Sequence, residues 1–441
     1  MTHSLYPQRL TPFEFYFLLE DRPGYPSNFP IRLECRGPID REAFERAFQS
    51  AHARHPFLSA RIERDGRQWP TWMAGEPIPI RWTDEPDFAD QEPVVTSSSA
   101  GLQTQVSRNG DKTAISFLFP HIATDGMGAF QFISDLMVAY AHDCTGGIGL
   151  PPWRPLDPEL LRDRDGHHLL NRRIRVVDLF RVAKVMVPLL IRRAAVISDH
   201  DHRPPAEARE SSKQDFALHS LTEEETARLS RLARKLAVRL NDLLLRDYFV
   251  TLAHWNQETS EARRPMRILV PTNLRRKIDY RMPAANVFSF AFLARHADDC
   301  QHRTRLLESI HQEMAAVKRE NRGLYYEAGM RLLCIWPALL RRSLERKWPF
   351  ATAIFTNLGT GFEHVPLPWQ DGRRVAGGLV LEAGYGAGPI RPDTRVSVAV
   401  HTYAGRMSIT VRCDRQSLGH QQRAFLDAFL HQLQITLDSE S

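Results

Sequence analysis

The chain has little sulfur chemistry to offer. Its five cysteines (Cys35, Cys144, Cys300, Cys334, Cys413) lie far apart and are odd in number, with no C-x-x-C pair and no His/Cys cluster at zinc spacing. That argues against a disulfide framework and against a zinc site, and for a reduced, cytoplasmic protein. No Walker A lysine and no G-x-S-x-G elbow occur, so NTPase and serine-hydrolase readings fall away. The glycine-rich run Gly384–Gly388 is followed by Pro389 and Pro392 instead of a helix, and so places no helix N-terminus under a phosphate. Residues 1–17 lack a cationic region, an uninterrupted apolar core and a small-residue cleavage site, so no signal peptide is expected. The helical candidate at 174–197 is interrupted by charges every few residues, well short of the ~20 apolar positions of a membrane span. The net charge of +6 comes from scattered arginines without a reading motif or a basic face interleaved with aromatics, and no nucleic-acid partner is expected.

What is present is a mixture of helix and strand signals spread evenly over 441 residues, a length that predicts two domains of mixed α/β (α+β) type. Composition sets the boundaries at 1–150, a Gly-, Pro- and charge-rich connection at 151–213, and 214–441. In the first unit a strand is expected over 28–34, then a helix capped by Asp40 with Phe44, Ala47, Phe48 and Ala51 on one face, ended by His55-Pro56. His52 and His55 read as solvated or capping groups at that helix end. A hairpin is expected around Asp65-Gly66, a surface loop over 85–100, and strands over 102–106 and 113–119 joined by Asn109-Gly110.

Within the connection, 174–197 predicts one helix. Asp178, Arg181, Lys184 and Arg192 fall on one arc, while Val182, Met186, Leu189 and Leu190 cover much of the rest. So wide an apolar face predicts packing across the domain junction, with peripheral membrane contact as its second use. The tract Asp199–His202 reads as a solvated loop in preference to a metal site. The second unit opens on a capping box, Thr222 with Glu225, followed by a nearly all-apolar helix that Asn241 can cap. Strands are expected over 266–271, 286–293, 353–357, 396–402 and 406–413, with a helical stretch over 304–347 and a last helix over about 419–437.

The stretch 115–140 concentrates the chemistry. A buried strand runs to Pro120, a short loop carries His121, Asp125 and Gly126, and an amphipathic helix follows with Phe130, Ile133, Met137 and Tyr140 at helical spacing. An imidazole at a strand end, a carboxylate four residues on and a glycine that permits a tight turn make a suitable seat for a general base. A strand-end histidine that bonds only to its own loop is the other reading.

The segment Pro120–Gly126, P-H-x-x-x-D-G, resembles the HHxxxDG signature of the chloramphenicol-acetyltransferase-like superfamily. That group includes condensation domains, wax-ester synthases, and the polyketide-associated and alcohol acyltransferases. The likeness runs along nearly the whole chain: AFERAFQSAHARHPFLSARI before the motif, LTEEETARLSRLA and NDLLL after it, then VPTNLRRK with Asn286 beyond, FTNLG, and VAVHTYAGRMSITVRCD, all in the family's order.

The resemblance implies two chloramphenicol-acetyltransferase-like αβ subdomains in a V with a central tunnel, the first holding the HxxxDG loop. It implies an acyltransferase that moves an acyl group from an acyl-CoA thioester to a hydroxyl, with acyl-CoA as co-substrate and no resident cofactor or metal. His121 would be the base, Asp125 would pair with Arg275 to hold the loop, and Gly126 would let the backbone turn. Asn273, Asn357 and Gly359 would border the substrate. A carrier-protein donor with condensation or N-acyl transfer to an amine is an alternative, and a catalytically silent binding module is another. The first histidine of the signature is Pro120 here, which removes an amide donor from the loop.

Overall fold

The computed structural model describes residues 5–22, 24–64, 69–84, 101–165, 176–200, 216–345, 349–391 and 393–439. The Asp65-Gly66 turn, the loop over 85–100 and the second half of the tract Asp199–His202 lie outside the described residues.

The strand Asn28–Arg36 alternates strictly, burying Phe29, Ile31, Leu33 and Cys35 on one face, as a sheet with one packed side requires. It pairs antiparallel with Lys112–Pro120 along its full length, and Gln103–Asn109 continues the sheet through the Asn109-Gly110 turn, where Gly110 takes φ +61°. Helices Arg41–Arg54 and Gly126–Thr145 pack on each other over this sheet. The Asp40 carboxylate caps the first as expected, accepting from the Ala43 amide at 3.0 Å. Arg61–Glu63 and Thr71–Met73 pair antiparallel, as the expected hairpin requires.

The full sheet has seven strands in the order Trp369–Gln370, Arg373–Ala376, Leu379–Gly386, Asn28–Arg36, Lys112–Pro120, Gln103–Asn109, Arg81–Thr83. Its first three strands come from the far end of the chain. Residues that lie within 214–441 therefore complete the sheet that carries His121. The glycine-rich run that offered no phosphate site begins as the end of this crossover strand, at Gly384–Gly386. A Cβ on Gly384 would sit 2.3 Å from the Phe362 ring, and one on Gly386 would sit 2.8 Å from the Pro30 carbonyl, so glycine is needed for close packing.

The second sheet runs Phe288–Arg295, Met266–Asn273, Ala353–Asn357, Val396–Tyr403, Arg406–Cys413, Ala217–Ser220. Both of its faces are covered, which is why its strands read as continuous apolar runs. Ile268, Val270, Leu293 and Phe355 point into one core with the helices Leu240–Asn256 and Gln422–Asp438, whereas Leu269, Phe288, Phe290 and Ile354 point into the core shared with the first half. The Thr222 and Glu225 capping box forms as expected. Asn241 does not cap, because the following helix starts one residue earlier at Leu240 with Arg239 at its N-cap. The helical stretch divides into Arg303–Arg319, Arg322–Cys334 and Pro337–Glu345.

The connection helix is shorter than its hydrophobic pattern predicts, spanning Val176–Ile191. Beyond it Ala194 and Ala195 are buried in extended chain, their amides donating to Pro349 and Pro265. An early helix, Pro12–Glu20, went unread in the sequence. It has proline at its start and a capping box of Thr11 with Glu14, and Arg164 donates to both oxygens of the buried Glu14 at 2.7 and 2.8 Å. No helix among the described residues is long and apolar enough to cross a membrane.

Candidate active site

Pro120 ends its strand opposite Asn28. The loop folds back onto its carbonyl, which accepts from Ala123 at 3.0 Å and Thr124 at 3.3 Å. His121 follows, its amide donating to Ser27 at 2.8 Å. Three phenylalanines surround the half-buried imidazole: Phe17 stacked at 4.4 Å, Phe288 stacked at 5.3 Å and Phe29 edge-on at 5.0 Å. Nδ1 is buried with no hydrogen-bonding partner among the described residues. Burial pushes the ring's pKa down to about 4, and the Arg391 guanidinium pushes the same way. The loop backbone, Asp125 and the Asn286 side chain oppose this. At neutral pH the imidazole is therefore uncharged and able to take a proton.

Asn286 ties this loop to the second half of the chain. Its Nδ2 donates to the His121 carbonyl at 2.7 Å and the Ile122 carbonyl at 2.9 Å, while its Oδ1 is buried without a partner. Arg391, half-buried, pairs with Glu20 at 3.2 Å and lies over the rings of Phe17 and Phe290.

Asp125 faces away from the imidazole's business. It is the N-cap of Gly126–Thr145, its Oδ1 accepting from the Gly128 amide at 2.9 Å. The same carboxylate receives Arg275 Nη1 at 2.7 Å and Nη2 at 2.9 Å, and the Val287 amide at 2.9 Å. Arg275 spends its remaining reach on the Ala285 carbonyl at 2.9 Å. Both side chains are almost completely buried.

Two glycines let the loop approach the second half. A Cβ on Gly126 would lie 3.1 Å from the Leu358 side chain. Gly128 is the stricter case, because its Cβ would meet Thr124 Oγ1 at 2.2 Å and the Ala285 amide at 3.0 Å. Gly128 was not singled out in the sequence. Its signal is its place two residues past the motif, at the first turn of a helix that otherwise favours larger residues.

Asn273, Asn357 and Gly359 stand at the ends of neighbouring strands and shape turns. Asn273 Oδ1 accepts from the Arg275 amide at 3.0 Å, and Asn357 Oδ1 accepts from the Gly359 amide at 2.8 Å with Gly359 at φ +65°. Both asparagines are exposed. The first turn aims Arg275 at Asp125, and the second brings Leu358 against Gly126. The open space beside Asn286, Val287 and Phe288 amounts to about 30 Å³, enough for a water molecule.

His52 and His55 are not solvated. His55 is fully buried, its Nε2 bonded to Asp135 at 3.1 Å and its Nδ1 accepting from the Ala284 amide at 2.8 Å. His52 sits among Phe48 and Phe132 with both ring nitrogens unpartnered. No group of three or more metal-ligating side chains occurs among the described residues. His200 bonds instead to the Trp255 carbonyl at 2.6 Å.

No protein-family model matches the chain, and no curated protein matches it. Solved structures do. Polyketide synthase associated protein 5 from Mycobacterium tuberculosis is 16% identical, covering 98% of this chain and 99% of its own at a TM-score of 0.66. The starter condensation domain of rhizomide synthetase, solved in complex with C8-CoA and Leu-SNAC, is 14% identical over 98% and 94% at 0.68. A trichothecene 15-O-acetyltransferase from Fusarium sporotrichioides is 12% identical over 97% and 94% at 0.72. The chain thus has the two-subdomain fold of condensation domains and chloramphenicol-acetyltransferase-like proteins.

Proposed function

We propose that the protein is an acyltransferase that moves an acyl group from an acyl-CoA thioester to a hydroxyl acceptor, with His121 as general base. The observation that carries this reading is the neutral imidazole, walled by Phe17, Phe29 and Phe288, on a loop locked from the other half of the chain by Arg275 and Asn286. In the step envisaged, the acceptor O–H gives its proton to the imidazole as the oxygen attacks the thioester carbonyl carbon. The tetrahedral centre then collapses, the C–S bond breaks, and the imidazolium returns the proton to the leaving sulfur, releasing ester and free CoA. No covalent enzyme intermediate is needed.

The Asn286 side chain acts on the ring, raising its pKa against burial, and this supports a role for Asn286 in setting the tautomer. With Nδ1–H turned toward Asn286, Nε2 is left as the base. Asn273, Asn357 and Gly359 would border the substrate through the turns they form. The relatives support a thioester donor in general terms, one of them being a condensation domain solved with C8-CoA and another a 15-O-acetyltransferase. A carrier-protein donor or an amine acceptor would use the same base in the same way.

Purified protein incubated with a panel of acyl-CoAs and alcohols, with free thiol and product mass followed together, tests the proposal. Thiol release matched by ester formation is expected. Thiol release without ester, or no turnover with any pair while carrier-bound acyl groups or amines react, would overturn the acyl-CoA and hydroxyl assignment.

A further inference from the structure

The helix Val176–Ile191 is apolar on two sides. Inward, Val182, Met186 and Leu189 are buried, with Met186 filling the space above Gly329 of the helix Arg322–Cys334 and Arg181 donating to Tyr325 at 2.8 Å. Outward, the exposed positions are Leu179, Phe180, Arg181, Ala183, Lys184, Val187, Leu190 and Ile191. Six of these are apolar, two are cationic and none is acidic. Phe180 is 73% exposed and Ile191 64%. An ordinary surface helix turns its charges to water and its apolar stripe to the core, so this second stripe needs a partner.

Charge points to the kind of partner. Lys184 and Arg192 make no ion pair among the described residues, and the Nε of Arg193 is buried without a hydrogen bond. The carboxylates nearby are already engaged: Asp178 lies 3.9 Å from Arg181, Glu313 pairs with Arg295 at 2.8 Å and Glu320 with Arg322 at 2.9 Å. Arg267 is buried at the end of this helix, and among the described residues its guanidinium is bonded only to carbonyls, those of Phe350, Pro188 and Arg192. A second copy of the chain would bring the same cations and no acidic complement to this face. A layer of anionic headgroups over acyl chains complements both its charge and its apolarity. Below the helix, a groove of about 940 Å³ sets Phe180, Leu189, Phe290 and Phe292 beside the cations Arg181, Lys184, Arg192, Arg193 and Arg267.

We infer that the outward face of Val176–Ile191 docks on an anionic phospholipid surface, with Phe180, Val187, Leu190 and Ile191 entering the interface and Lys184 and Arg192 meeting the headgroups. This is independent of the reaction proposed above.

Co-sedimentation of the full chain with sucrose-loaded vesicles tests it, using phosphatidylcholine alone or with phosphatidylglycerol at about three parts in ten. Binding to the anionic vesicles only, weakened at high salt, is expected. The double variants Phe180→Ser with Ile191→Ser and Lys184→Glu with Arg192→Glu should each lower binding by about tenfold or more at an unchanged melting temperature. Absence of wild-type binding to anionic vesicles at low salt overturns the inference, as does equal binding by a folded variant of either pair. A wild-type dimer in light scattering that Phe180→Ser with Ile191→Ser splits into monomers assigns the face to a second copy and also overturns it.

Discussion

Arg275 grips Asp125 with two parallel hydrogen bonds, of 2.7 and 2.9 Å, across 150 residues of chain. The pair is dry, and a buried ion pair of this kind contributes more to geometry than to net stability, since desolvation offsets much of the attraction. Losing one partner is a different matter, because the other charge is then left buried and alone. Asp125→Ala and Arg275→Ala should each cost about 3–5 kcal/mol and lower activity together with melting temperature. The double variant should be far less harmed than the sum, a coupling that a double-mutant cycle in denaturant reads directly. Strict additivity would show that the two residues act separately.

His121→Ala should lower kcat/KM about several hundredfold without unfolding the protein, since no second histidine stands beside it in the motif. In the wild type the acid limb of kcat/KM should fall near pH 4, well below the range of an ordinary histidine, because the free imidazole must be neutral to accept a proton and its pKa is about 4. A limb near pH 6.5 in protein shown by circular dichroism to be folded would mean that the base is another group or that the ring is solvated in the working enzyme.

Asn286→Ala removes two hydrogen bonds from the buried carbonyls of His121 and Ile122. Stability should drop by about 1–3 kcal/mol, and kcat should fall more than KM rises. Asn286→Asp places a carboxylate beside the ring and should move the acid limb to higher pH. Asn286→Ala should move that limb the other way, because the native side chain raises the ring's pKa, whereas loss of a merely structural asparagine would leave it where it was.

Acid should destabilise the fold through histidines buried in their neutral form. The pKa of His52 is lowered to about 3 and that of His401 to about 4, in both cases first by burial. In the unfolded chain each ring binds a proton as the pH falls through about 6.5, whereas the folded protein resists until much lower pH. Stability is therefore fully present above pH 6.5 and is lost as the pH falls toward 4 and then 3. Each such ring should cost about 2 kcal/mol between pH 7 and pH 5. Both His52 nitrogens lack partners, so His52→Leu should remove that part of the acid dependence. Denaturant titrations of the two proteins at both pH values measure it, and parallel losses would place His52 in a solvated setting.

Much of the architecture is local chemistry, and local chemistry is legible in a sequence. The alternation of Phe29, Ile31, Leu33 and Cys35, the Asp40 cap, the Thr222 and Glu225 box and the Asn109-Gly110 turn each follow from interactions between residues a few positions apart. The HxxxDG loop and the apolar strands of the second sheet are of the same kind, and with the family resemblance they made Asp125 and Arg275 candidates for pairing. Other features depend on contacts that one-dimensional patterns do not hold. The crossover of Leu379–Gly386 into the first sheet, the need for glycine at Gly128 against Ala285 and at Gly384 against Phe362, and the joining of Phe17, Phe29 and Phe288 around His121 are set by contacts that form only when separate elements pack. The pKa of His121 belongs with them, because burial and the charge of Arg391 are properties of assembled surroundings. The helix Val176–Ile191 shows the division clearly. Its periodicity marked an apolar helix, but two of its sides are apolar, and only packing against Arg322–Cys334 decided which side is covered and which faces out.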